Sequence, residues 1–161
     1  MVSGVDELAD MRKRVVVARA RLRALLPASR DHEPPADPKT GERWDRMNIL
    51  GHMAEFPAFW TAELESAMVT GEEFGRRPGS TSRQDAIDGG ATVGESELKR
   101  RAARGIESIL GLLGKLEPAD LDRTVTMRGR GEVTLRWALE YLLVGHVVEH
   151  CDQLYSLTTT T

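Results

Sequence analysis

Three of the four histidines in this chain, His52, His146 and His150, fall on the apolar seams of two helical stretches that lie far apart in sequence. In GHVVEHCDQL the pair His146 and His150 is spaced i, i+4, which puts both imidazoles on one helix face about one turn apart. His52, in NILGHMAEFPAFW, keeps register with Ile49, Phe56 and Phe59. A neutral imidazole taken out of water leaves a ring nitrogen that needs a partner. Any fold of this chain must therefore give three inward-facing histidines separate partners or bring them to a common one. A divalent cation would serve all three at once.

Hydrophobic spacing predicts four long helices. Leu8, Met11, Val15, Ala18, Leu22 and Leu25 mark the first, with Ser3 and Asp6 as its capping box and Pro27 as its end. The stretch PASRDHEPPADPKTGER reads as a wandering connection, and His32 lies in it outside any apolar register. Asp45 is the N-cap expected for the second helix, with Trp44 stapling onto Ile49; its seam runs through His52, Phe56 and Phe59, beside Leu50, Met53, Trp60 and Leu64. Pro57 removes a backbone donor and predicts a bend beyond His52.

Residues 70–94, dense in Gly, Ser, Arg and Asp, predict a long flexible connection with the character of a lid. Thr92 and Glu95 then form a capping-box pattern ahead of a third helix bearing Leu98, Ala102, Gly105, Ile109, Leu112 and Leu116, and Pro118 ends it. Alternation at Val125 and Met127 before Gly129 and Gly131 predicts a short piece that is either extended or a hairpin. Thr134 caps the last helix, which carries Leu135, Leu139, Leu142, His146 and Gln153 on one seam with Leu143, Val147, His150, Leu154 and Leu157 beside it. The expected fold is all-α, a four-helix bundle with long connections and a short extended segment before the last helix. One domain spans residues 1–157, and 158–161 form a frayed tail.

The 161 residues suffice for one substantial core, and no apolar run approaches the roughly 20 residues of a membrane span. No membrane partner is expected. The N-terminus does not resemble a secretion signal and the single Cys151 cannot pair within the chain, so a cytoplasmic home is expected. Cys151, next to His150 but rotated around the helix, reads as a small buried hydrophobe. A net charge of -3 with pI near 5.8 offers no general attraction to nucleic acid, and no nucleic-acid partner is expected. The basic run Lys99, Arg100, Arg101 and Arg104 reads as a solvated helix face. Trp60 and Trp137 are placed either in the core or on an apolar outer face that would favour a homodimer.

Neutral imidazole is a borderline ligand suited to zinc, nickel, copper and iron, and three of them leave such an ion doubly charged with open positions. Asn48, Glu55, Glu149 and Gln153 stand near a ligand by helical spacing and are candidates for orienting the rings; Glu55 and Glu149 equally read as surface acids. Arg128 and Arg130, before the last helix, are candidates for contacting an anionic cosubstrate, or are solvated turn residues. From the residues alone, a metal site at His52, His146 and His150 and three separately satisfied core histidines both remain open.

The segments WDRMNILGHMAEF and TLRWALEYLLVGHVVEHCDQL together resemble the DinB-like superfamily of metal-binding four-helix bundles, which includes bacillithiol transferases and mycothiol-dependent maleylpyruvate isomerases. The likeness covers nearly the whole chain. It implies metal ligands at His52, His146 and His150, with water completing the sphere. The maleylpyruvate isomerase branch is similar but typically carries glutamate where this chain has His146, so the resemblance favours the broader group.

Two functions follow as expectations. In one, the chain is a metal-dependent enzyme in which zinc or nickel activates a small-molecule thiol for attack on an electrophile, as an S-transferase, or activates water, as a hydrolase. The excess of arginine over lysine, with abundant alanine and glycine, suits a GC-rich bacterial coding sequence, and mycothiol would then be the thiol at hand. In the other, the ion staples two helices and the chain is a non-catalytic binding or stress-response module.

Overall fold

The computed structural model of the chain describes residues 3–26, 34, 36 and 40–158. Pro27, His32 and tail residues 159–161 lie outside them. Helix α1 (Gly4–Ala24) begins where the Ser3 hydroxyl accepts from the Asp6 amide at 3.2 Å; Ser3 Oγ also donates to the Asp6 carboxylate at 2.7 Å. Helix α2 (Arg46–Thr70) starts on a complete capping box between Asp45 and Asn48 and runs unbroken through Pro57. It closes on Gly71, whose φ of 73° only glycine adopts without strain.

Two short helices follow, α3 (Ser82–Asp88) and α4 (Gly90–Val93), and then the long α5 (Glu95–Lys115). A 3-10 turn (Pro118–Asp122) leads to strands β1 (Thr124–Met127) and β2 (Gly131–Thr134), paired antiparallel with Val125 opposite Val133. The final rod consists of α6 (Leu135–Leu139), a π-helical turn (Glu140–Val144) and α7 (Gly145–Thr158), with Thr134 Oγ1 capping its start. The long helices contact each other in the order α1, α5, α2, α7 and back to α1, around a core that includes Val15, Met53, Phe56, Ile106, Leu113 and Val147. No helix among the described residues is long and apolar enough to cross a membrane.

The glycine- and arginine-rich run at 70–94 differs from the flexible connection its composition suggests. It carries α3 and α4, and both lie against α2. Its glycines serve close approach: a Cβ at Gly90 would sit 2.2 Å from the Met47 carbonyl oxygen, and one at Gly51 would sit 2.1 Å from that of Ala86. Ile87, fully buried, anchors the segment, and its carbonyl accepts from Asn48 Nδ2 at 3.1 Å. The Thr92–Glu95 capping box is also replaced. Thr92 belongs to α4, Gly94 precedes α5 at φ 92°, and the Glu95 carboxylate pairs with the buried Arg46.

Backbone-on-backbone contact leaves no room for even one methyl group. Gly51→Ala is expected to lower stability by about 2–3 kcal/mol through overpacking. Gly111→Ala, at an exposed α5 position with open space around it, is expected to raise stability by about 0.5–1 kcal/mol. Urea unfolding of the two variants checks both the signs and the contrast.

Candidate metal centre

The α2–α7 contact brings the three seam histidines to one point. The Nε2 atoms of His52 and His150 each lie 3.0 Å from Nε2 of His146, and one ring nitrogen from each residue lies within 4.8 Å of the others. His52 and His150 are buried, while His146 is half-buried. Phe56 encloses the cluster from within, its ring 4.4 Å from that of His146 and 4.8 Å from that of His52. Trp44 covers the other side, edge-on to His52 at 5.2 Å and stacked on His150 at 5.8 Å.

The π turn sets the phase of the pair on α7. The Gly145 amide donates to the Glu140 carbonyl five residues back, and a Cβ at Gly145 would meet that oxygen at 2.8 Å. Arg14 of α1 holds the Glu140 carboxylate through two bonds, of 2.8 and 2.7 Å. Such single-turn bulges recur where a helix must aim a side chain.

Burial is the first cause of the charge state here. It drives the His52 pKa down to about 2, assisted by the neighbouring His150 and His146 and by the cations Arg83 and Arg76. His146 falls to about 3 from burial, then His150 and Arg83. His150 is lowered by burial too, against the opposing pull of its hydrogen bond to Gln153 and of Glu149. The three rings are therefore neutral near pH 7, the form in which imidazole binds metals.

Protons alone fit this cluster poorly. Gln153 Oε1 accepts from His150 Nδ1 at 2.7 Å, which leaves His150 Nε2 as a bare lone pair aimed at His146. One proton on His146 Nε2 cannot point at both of its neighbours, and without it two lone pairs face each other across 3.0 Å. A cation accepts all three lone pairs together, and three neutral nitrogen donors suit a divalent transition ion. His52, His146 and His150 could hold one.

Of the four candidates for orienting the rings, Gln153 alone bonds an imidazole. Asn48 has its amide committed to the Asp45 box and to Ile87. Glu55 is held by Arg76 at 2.8 and 2.7 Å. Glu149 is exposed at the rim of the pocket described below. Arg128 and Arg130 lie elsewhere: Arg128 binds Glu73 and the Gly75 carbonyl, and Arg130 covers Trp137 at 4.3 Å. Cys151 is buried against Ala18 with its thiol pushed up to about 11, as a small hydrophobe would be.

A pocket of about 380 Å³ opens onto the triad, lined also by Trp44, Arg83, Glu149 and Gln153. Arg83 carries no sequence signal, and Trp44 reads only as a staple onto Ile49. Trp44 has the position of a helix staple and also packs on the rings of His52 and His150, and Arg83 sits on a seven-residue helix too short to show a period.

Neutral buried histidines make metal-free protein sensitive to acid. The unfolded chain takes up protons near pH 6.5 that the folded one refuses until far lower pH, so stability is full above about 6.5 and falls as the pH drops toward about 3. Urea midpoints of chelator-treated protein at pH 7.5 and 5.0 should show the decline, and His52→Gln, which removes one of three contributions, should make it shallower.

No curated protein matches this chain in sequence. The colibactin self-resistance protein ClbS, solved in complex with a dsDNA, superposes with a TM-score of 0.69 at 8% identity over 100% of this chain and 98% of that one. At that identity the likeness is one of fold. The complex nonetheless overturns the exclusion of nucleic acid drawn from net charge: a protein of this fold holds dsDNA, and overall charge does not fix the sign of a local surface. The family model of the DinB superfamily matches residues 14–154, including all three histidines. The chain belongs to the DinB superfamily.

Proposed function

We propose that this chain is a metal-dependent enzyme of the thiol S-transferase type, with the ion on His52, His146 and His150. The observation that carries the reading is the convergence of three neutral Nε2 atoms, 3.0 Å apart in two successive contacts, at the floor of an open pocket. A centre that only stapled α2 to α7 would have no need of that opening. When bound, a divalent ion such as zinc or nickel lowers the pKa of a thiol or water at its open position.

The chain's own residues supply the rest. Gln153 fixes the tautomer and angle of His150, Phe56 and Trp44 exclude water from the ring faces, and burial keeps the donors unprotonated. The thiol we assign is a small cytoplasmic one, and mycothiol is the form that a GC-rich bacterial coding sequence suggests. Hydrolysis at the same centre would show itself as turnover without added thiol.

His52→Ala and His146→Ala are each expected to abolish stoichiometric zinc or nickel binding, read by elemental analysis of protein purified without an affinity tag. Gln153→Leu should keep the fold and weaken metal affinity about 10–100-fold, read by competition with a chromophoric chelator. Metal-loaded protein should consume thiol with at least one member of a panel of electrophiles. Consumption of none would remove the transferase reading and leave the metal-stapled bundle, whose melting temperature drops on chelation.

A further inference from the structure

Among the described residues Arg83 is the one arginine or lysine lining the pocket over the triad, and it is half-buried. Its guanidinium carbon lies 5.2 Å from the Trp44 ring centroid, and among the described residues no carboxylate or carbonyl accepts from it. The other half-buried arginines at structural positions behave differently. Arg14 is answered by Glu140, Arg76 by Glu55, and Arg128 by Glu73 and a carbonyl. Five N–H donors at a pocket wall, with one side of the group taken up by an indole, form a planar fork with nothing in it.

The charges around it narrow the occupant. Three neutral imidazoles, a divalent ion and Arg83 leave a strong positive excess, whereas Glu42 and Glu149 on the same walls repel a multiply charged anion. A group with one negative charge and two coplanar oxygens fits both conditions, and it meets a guanidinium bidentately. Arg83 and the three histidines line one pocket of about 380 Å³, so a single small molecule can face both groups.

We propose that Arg83 is the recognition residue for a carboxylate, so that the substrate or cosubstrate of this site is a carboxylate-bearing thiol or electrophile spanning from Arg83 to the histidine triad. The inference rests on the proposed metal centre for its second anchor. It replaces Arg128 and Arg130, both engaged elsewhere, as the contact for an anionic cosubstrate. Trp44 acts as the positioning residue, holding the guanidinium over the pocket by its ring face.

The test uses cobalt(II)-loaded full-length protein, titrated with mercaptoacetate and 3-mercaptopropionate and with their uncharged mercaptoalcohol counterparts, followed by the thiolate-to-cobalt absorption band. The carboxylates are expected to bind at least about tenfold tighter than the matched alcohols. Arg83→Gln should bring that ratio to near one, Arg83→Lys should keep part of it, and Arg77→Gln, at an exposed position outside the pocket, should keep all of it. Circular dichroism and melting curves confirm that the variants fold. Equal affinities in the wild type overturn the proposal, as does a preference that survives Arg83→Gln, since the ion itself is then the source. Cobalt that fails to bind removes the metal reading and this one with it. Cobalt and thiols that bind without regard to the carboxylate remove only this one.

Discussion

Two buried imidazoles and one half-buried one meet where α2 reaches the final rod, and they have given up water without gaining a full set of protein partners in return. That arrangement is costly in isolation, because a desolvated ring nitrogen aimed at another lone pair contributes nothing favourable. It becomes reasonable once the nitrogens are treated as a donor set. The same burial that keeps the rings unprotonated also ties the ligand geometry to packing between two helices that are remote in sequence. Fold and centre are therefore one problem: whatever loosens the α2–α7 contact separates His52 from its partners.

The walls of the pocket depend on a different contact. Gly51 and Gly90 let α3 and α4 come to within backbone distance of α2, which delivers Arg83 to the mouth and leaves Trp44 opposite it. The Glu55–Arg76 pair, stacked on Phe59 at 4.1 Å and extended by Ser82, fastens the same segment from its other end. One side of the pocket is thus built from main-chain proximity and the other from aromatic surface.

Much of this was legible in the sequence, and the reason is periodicity. Long seams such as Leu8 to Leu25 or Leu98 to Leu116 state their helices plainly, and the placement of His52, His146 and His150 on such seams pointed them inward before any coordinates. Gln153 was readable because it lies three residues from His150 on the same face. What periodicity cannot show is a helix of two turns or fewer, so α3 was hidden in a run whose glycines suggest freedom when they in fact permit contact. Asn48 and Glu55 have the right spacing to reach a ring, but capping and ion pairing claimed them first. Spacing gives reach; competition for partners decides use.

The π turn at Glu140–Val144 divides the final rod into two halves. Ahead of it, Leu135, Ala138 and Leu139 are buried in the core; behind it, His146 and His150 face α2. A wider turn carries one residue more than an α turn, and that surplus rotates everything downstream by roughly 100° relative to an unbroken helix. That offset brings His146 and His150 toward α2 while Val147 and Leu154 of the same helix stay in the core. The register of the two histidines is thus held by the single extra residue of that turn, and losing it would swing both imidazoles off their common point even in a rod that stayed helical.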